Sequence, residues 1–311
     1  MSEDALWPRA YHWVTEGTTS SREAVESGSE QASGFAVDLG LVGVPAHLTS
    51  ISPTGADATP AAVREALKRY STWSWAHNLD LRDLSVHDFG DSINPDSPEG
   101  ENYTSGLTAT ATDAARLTVV IGGDNSVTFA AMRGAAPVLE RSGLITFDAH
   151  HDLRDGISNG SPVRRLVEAG LPGTNVVQIG IADFSNSPEY AERARLLGVT
   201  VVPRSALRTQ SPEQVWEMAL EALGEVDQIY VDIDVDVCDR SVVPACPAAA
   251  PGGLSADELR QFAYLAGKTE RVNCIDITEI DDTADSADQR TVRLAALLIL
   301  EAAAGLASRD S

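Results

Sequence analysis

Asp148, His150 and Asp152 stand at alternate positions of the string Asp-Ala-His-His-Asp, and Asp234 and Asp236 stand on either side of Val235 in a second acidic string. An extended chain points alternate side chains to the same side. Each string can therefore aim its acids, and in the first case an imidazole, at one centre. Both follow apolar runs: Leu144, Ile145 and Phe147 lead into the first, and Ile229, Tyr230, Val231 and Ile233 into the second. Each string thus falls where a buried strand runs out into a loop. Carboxylates gathered beside a core are unfavourable unless cations neutralise them. Oxygen-rich ligation with one imidazole suits Mn²⁺, Mg²⁺ or a similar hard ion, and the two strings together point to a two-metal site.

The elements that must position these strings are legible as alternating runs. Strand patterns fall at 36–44, 84–89, 117–121, 144–147, 176–181, 199–202, 228–233 and 273–279. Amphipathic stretches lie between them at 60–70, 127–139, 162–169, 188–197, 212–223 and 256–265, and a last helix covers about 291–306. Several open with a cap or an early proline, as at Thr59-Pro60, Ser211-Pro212 and Ser255. Strand–helix alternation predicts a parallel sheet with helices on both faces. Such sheets carry their chemistry at the carboxyl ends of the strands, where Gly122-Gly123-Asp124-Asn125, both acidic strings and Glu279 all fall. With no repeat or linker, residues 35–311 are expected to form one catalytic domain. Residues 1–34 read as a polar arm that packs weakly or wraps a neighbour, with Trp7, Tyr11 and Trp13 as its anchors.

A formal charge of −23 over 311 residues argues against nucleic acid or an anionic membrane as partner, since both need a basic face. No apolar run approaches the ~18 residues of a membrane span. Three cysteines without zinc-type spacing do not make a disulfide framework, so the expected location is a reducing cytoplasm and the expected partner a small-molecule substrate.

The motif order Gly-Gly-Asp-Asn-Ser (122–126), Asp-Ala-His-His-Asp (148–152), Asn-Gly-Ser-Pro (159–162), Asp-Val-Asp-Val-Cys-Asp (234–239), Pro-Gly-Gly-Leu (251–254) and Asp276 to Glu279 resembles the ureohydrolases, the family of arginase, agmatinase and formimidoylglutamase. The resemblance covers roughly residues 35 to 306. It implies a three-layer α/β/α arginase-like fold with a central eight-stranded parallel sheet, two Mn²⁺ per chain, and a homo-oligomer, trimer or hexamer. Carried over residue by residue, Asp148 and Asp234 bridge the metals, Asp152 completes one metal's shell, and His150 with Asp236 completes the other's. Asn125 stands where a histidine ligand is usual, which leaves the first metal an amide oxygen or nothing. Asn159 stands where arginases and agmatinases carry a proton-shuttling histidine. Formimidoylglutamases also lack that histidine and tend to carry Asp-Leu-Arg, as in Asp152-Leu153-Arg154.

The resemblance therefore implies hydrolysis of N-formimidoyl-L-glutamate to L-glutamate and formamide, a step of histidine degradation, through attack by a hydroxide held between the metals. Asp152 and Glu279 are the expected catalytic carboxylates. Glu279, Arg154 and Asn159 are the expected substrate-binding groups, Glu279 facing the cationic nitrogens and Arg154 the substrate carboxylate. Two alternatives stay open: a guanidino hydrolase releasing urea, and a metal-poor pseudoenzyme that works as a binding partner.

Overall fold

The structure is a computed structural model that describes residue 4 and residues 6–16, 19–28 and 34–309. Its helices are α1 (Ala10–Glu16), α2 (Thr19–Ser27), α3 (Thr59–Ala66), α4 (Pro98–Ala114), α5 (Val127–Ala135), α6 (Pro162–Glu168), α7 (Pro188–Leu197), α8 (Pro212–Leu223), α9 (Ala256–Lys268) and α10 (Arg290–Ala307). Its strands are β1 (Val37–Val44), β2 (Trp73–Ser74), β3 (Leu79–Asp80), β4 (Val86–Asp91), β5 (Ala115–Gly122), β6 (Ser142–Phe147), β7 (Val176–Ile181), β8 (Thr200–Pro203), β9 (Gln228–Asp234) and β10 (Val272–Thr278). Eight of the strands form one parallel sheet in the order β4-β1-β5-β10-β9-β6-β7-β8, while β2 and β3 make a short antiparallel hairpin apart from it.

Because strand side chains alternate, the sheet has two buried faces. One carries Leu39, Leu117, Ile145, Val231 and Ile275, and packs against α3, α8, α9 and α10. The other carries Val42, Val120, Leu144 and Tyr230, and packs against α4 to α7. A sheet covered on both sides reads as near-continuous apolar runs, which is why its eight strands are visible in the sequence. β7, α7 and α8 have the expected bounds, and the remaining expected elements differ by a few residues at their ends.

α4 was not expected. Its buried positions are Gly100, Thr104, Thr108 and Ala111, a stripe at helical spacing made of small and hydroxylated residues rather than large apolar ones. The small stripe lets α4 and α5 approach closely: a Cβ on Gly134 of α5 would lie 2.1 Å from the Ser105 carbonyl oxygen. Of the residues read as a polar arm, the described part includes α1, which seats Ala10, Trp13 and Val14 in this chain's own core. The Trp13 indole donates to the Leu84 carbonyl at 3.1 Å. No helix among the described residues is long and apolar enough to cross a membrane.

Candidate active site

Four adjacent strands, β5, β10, β9 and β6, end side by side at the centre of the sheet. β5 and β6 are consecutive strands of the main sheet in sequence, but β9 and β10 are inserted between them, and a ligand crevice forms where winding order breaks in this way. Asn125 follows β5, Glu279 follows β10, Asp234 ends β9, and Asp148 follows β6. Arg154 and Asn159 stand on the loop from β6 to α6. All the expected site residues are thus brought to one end of the sheet. His150, Asp152, Arg154, Asn159, Asp234, Asp236 and Glu279 line a cleft of about 170 Å³ there. Asp148 and Asn125 are each only 1% exposed, behind that lining.

Local hydrogen bonding ties the two acidic strings together. Asp234 Oδ1 accepts the Asp236 N–H at 2.8 Å and so turns the chain just after β9. Asp236 Oδ1 accepts the Ala149 N–H at 2.9 Å. Asp148 Oδ1 accepts the His150 N–H at 2.5 Å, and the His150 Nδ1 lies 2.7 Å from Asp236 Oδ2 and 3.4 Å from Asp148 Oδ1. Asp148, His150 and Asp236 offer ligand atoms within 4.8 Å of one another. Asp148 Oδ2 is buried and has no hydrogen-bond partner among the described residues. An orphaned buried carboxylate oxygen beside a second carboxylate and an imidazole is the donor set of a hard or borderline divalent ion. The residues present fit such an ion.

The electrostatics show what the cluster costs without one. Burial, with repulsion from Asp152 and Asp236, pushes the Asp148 carboxyl well up. Asp234 is raised in the same way by burial and by Asp236 and Asp148. Burial raises Asp152 to about 7 and Glu279 to about 8. Burial works against a charge on His150, but its bonds to Asp148 and Asp236 prevail and push it up to about 12. Asp152 and Glu279 also have left-handed backbones, at φ 51° and 65°. A non-glycine residue pays for that conformation, and strain of this kind gathers at functional sites.

Asn125 is held by three neighbours. Its Oδ1 accepts from the Thr278 hydroxyl at 2.8 Å and lies 3.0 Å from the Thr128 hydroxyl oxygen, and its Nδ2 donates to Asp152 Oδ2 at 2.7 Å. The amide oxygen expected to face the first metal is occupied in this arrangement, and the amide N–H holds a carboxylate instead. Sequence reasoning passed over Thr128, Thr278 and Ser50, whose hydroxyl donates to Asp124 Oδ2 at 2.8 Å. Hydroxyl residues are too common for any of the three to signal this in sequence. His151 is buried beside the cleft, with Nδ1 2.7 Å from Gln178 Oε1. His47 does not line the cleft and lies 3.7 Å from Asp96.

An eight-stranded parallel α/β/α sheet whose central strand ends gather carboxylates and one imidazole that could hold a metal ion is the architecture of the arginase-fold hydrolases. The family model described as the arginase family matches residues 37–305, and the chain belongs to that family. It is 38% identical over 272 residues to the formimidoylglutamase of Halalkalibacterium halodurans, covering 84% of this chain and 85% of that one. Among solved structures it resembles formimidoylglutamase from Bacillus subtilis, with a TM-score of 0.88 at 28% identity over 100% of this chain and 95% of that one. It also resembles Trypanosoma cruzi formiminoglutamase with Mn²⁺, at a TM-score of 0.80 and 28% identity over 88% and 94%. The chain is a hydrolase acting on amidines.

Proposed function

We propose that the protein hydrolyses N-formimidoyl-L-glutamate to L-glutamate and formamide, with two Mn²⁺ held by Asp148, His150, Asp152, Asp234 and Asp236. The observation that carries the reading is a carboxyl group and a guanidinium set in one cleft. Glu279 lies within it, 6% exposed, and Arg154 stands exposed at its edge with no carboxylate partner among the described residues. A substrate with a cationic amidine at one end and carboxylates at the other meets both. The formimidoylglutamases and the Mn²⁺-containing relative named above support the same choice.

When bound, the ions supply Lewis acidity that makes water a nucleophile near neutral pH. The chain's own groups do the rest. Glu279 accepts N–H bonds from the amidinium and orients its carbon. Asp152 Oδ2 is held by Asn125, and its other oxygen takes the proton that water loses on adding to that carbon. That proton passes to the glutamate nitrogen as the C–N bond breaks, and the remaining O–H proton of the added water follows it, so that glutamate leaves as its ammonium form and the carbon leaves as formamide.

Product analysis of manganese-loaded protein with N-formimidoyl-L-glutamate, agmatine and arginine tests the reading. Formamide and glutamate from the first compound alone is the expected result, and urea from either guanidino compound would move the assignment to a guanidino hydrolase.

Two further outcomes follow from the site. Arg154→Ala removes a bidentate carboxylate partner and should raise KM roughly tenfold to a hundredfold with kcat little changed. An unaltered KM would discard the carboxylate role. In our reading Asn125 acts as the clamp on Asp152, so Asn125→Ala should lower kcat about tenfold while the protein keeps its full manganese content. Loss of one ion on metal analysis would instead make Asn125 a ligand. The cytoplasmic location and the trimeric or hexameric state belong to the same proposal.

A further inference from the structure

Both oxygens of Glu279 matter, and they are not equivalent. Oε1 accepts two hydrogen bonds, from the Asn125 backbone N–H at 2.8 Å and from Asn159 Nδ2 at 2.8 Å. No described residue donates to Oε2. The orientation of the Asn159 amide is set by its other bond: its Oδ1 accepts the Ile51 N–H at 3.1 Å, and a backbone N–H can only donate, so Nδ2 must face the carboxylate. The Asn159 backbone N–H also donates to the Thr49 carbonyl at 3.3 Å. Asn159 therefore spans from the 49–51 loop to Glu279 and keeps one of the two carboxylate oxygens occupied.

We infer that Asn159 sets the choice between a formimidoyl and a guanidino substrate by leaving Glu279 a single oxygen for the reacting group. This rests on the substrate reading above and deepens it. A guanidinium held by its tail presents two NH₂ groups at its far end, a fork that a carboxylate with two free oxygens receives bidentately. A formimidoyl group presents one NH₂, with a C–H in place of the second. One free oxygen satisfies the formimidoyl group completely. The same oxygen leaves the second NH₂ of a guanidinium without a carboxylate partner. An unpaired polar group in the cleft lowers binding and transition-state stabilisation by roughly ten- to a hundredfold. Asn159 is thus a positioning residue that acts through Glu279.

The test compares N-formimidoyl-L-glutamate with N-carbamimidoyl-L-glutamate, which keeps the same tail and replaces the C–H by C–NH₂. The ratio of kcat/KM for the two is read in the wild type, Asn159→Ala and Asn159→Asp. Comparing ratios across variants cancels the intrinsic reactivity of the two carbons. Asn159→Asp retains an acceptor for the Ile51 N–H while deleting the amide donor, so it separates the loop contact from the carboxylate contact. Its added negative charge acts on both cations alike.

Both variants are expected to lose at least about tenfold of the wild-type preference for the formimidoyl compound. The shift in melting temperature that each compound induces gives the same ratio without turnover. A preference unchanged in both variants overturns the inference and leaves the substrate assignment standing. If the wild type turns over neither compound, the substrate assignment falls, and the melting shifts still decide the inference by the same criterion.

Discussion

Asp148→Asn should abolish hydrolysis, by roughly three orders of magnitude or more, and yet make the metal-free protein more stable. Both effects come from one atom pair. Asp148 Oδ1 is committed to the His150 N–H, while Oδ2 is buried without a partner among the described residues. In the absence of metal, burial with repulsion from Asp152 and Asp236 makes that carboxyl keep a proton, at a cost that grows as the pH rises. An amide of the same shape is neutral and sheds most of this cost. It is also a poorer ligand, because the negative charge that draws a divalent ion is gone. Melting curves with chelator should place the variant a few degrees above the wild type. With manganese the order should reverse, since only the wild type gains from binding an ion in the folded state alone. A variant that keeps both its manganese and its turnover would remove Asp148 from the metal site.

The contrast between stability and function explains which parts of the chain can be read without a structure. The six inner strands of the main sheet are legible because both faces are buried, so that Val, Ile and Leu dominate β1, β5, β6, β7, β9 and β10. The acids are legible for the opposite reason. Asp148 and Asp234 interrupt the pattern just where the apolar runs end, and a buried acid without a role would be a standing cost. α4 escaped notice because it packs through Gly100, Thr104 and Thr108, which carry no apolar signal. Close backbone approach, rather than apolar area, seats that helix.

The finer arrangement of the site depends on geometry that residue types do not encode. Asn125 can be a ligand or a clamp on the same side-chain chemistry. Its role turns on the Thr128 and Thr278 hydroxyls, which meet it only after α5 and β10 have docked. The left-handed backbones of Asp152 and Glu279 are equally invisible in sequence, where glycine or asparagine would be the natural expectation for such a conformation. Each costs of order 1–3 kcal/mol. Both are held by neighbours: the Glu279 N–H donates to the Gly123 carbonyl at 2.9 Å, and the Asp152 carbonyl accepts the Arg164 N–H at 3.2 Å. The strain aims the two carboxylates into the cleft.

Beneath the metal-facing acids lies a further buried pair. Asp232 and Asp276 are register partners on β9 and β10. Asp276 accepts from the Tyr230 hydroxyl at 2.7 Å and the Thr128 hydroxyl at 2.9 Å. Neither Asp232 oxygen finds a neutral donor, and burial with the nearby Asp276 drives its carboxyl well up. Asp232 lies two residues before Asp234 on β9 and is fully buried.

These raised acids predict that the metal-free protein loses stability as the pH climbs from about 4 to about 8. The folded state holds protons on Asp152 up to about 7 and on Glu279 up to about 8, whereas the unfolded chain releases them near 4. Over that interval the folded state binds more protons than the unfolded one, so stability falls with rising pH, at about 1.4 kcal/mol per pH unit for each such group. Asp148 and Asp234, raised further still, add to the slope in the same direction. His150 acts with them above its unfolded value near 6.5, because its folded form keeps its proton to about 12.

Metal reverses the requirement, because its ligands must give up those protons to bind it. Manganese affinity should therefore rise with pH over the same interval, and the gap in melting temperature between loaded and chelated protein should widen from pH 5 to pH 8. Chelated protein whose melting temperature rises across that range would show that the carboxylates are paired and charged without metal. In that case the cluster would be a structural ion network rather than a site waiting for a cation.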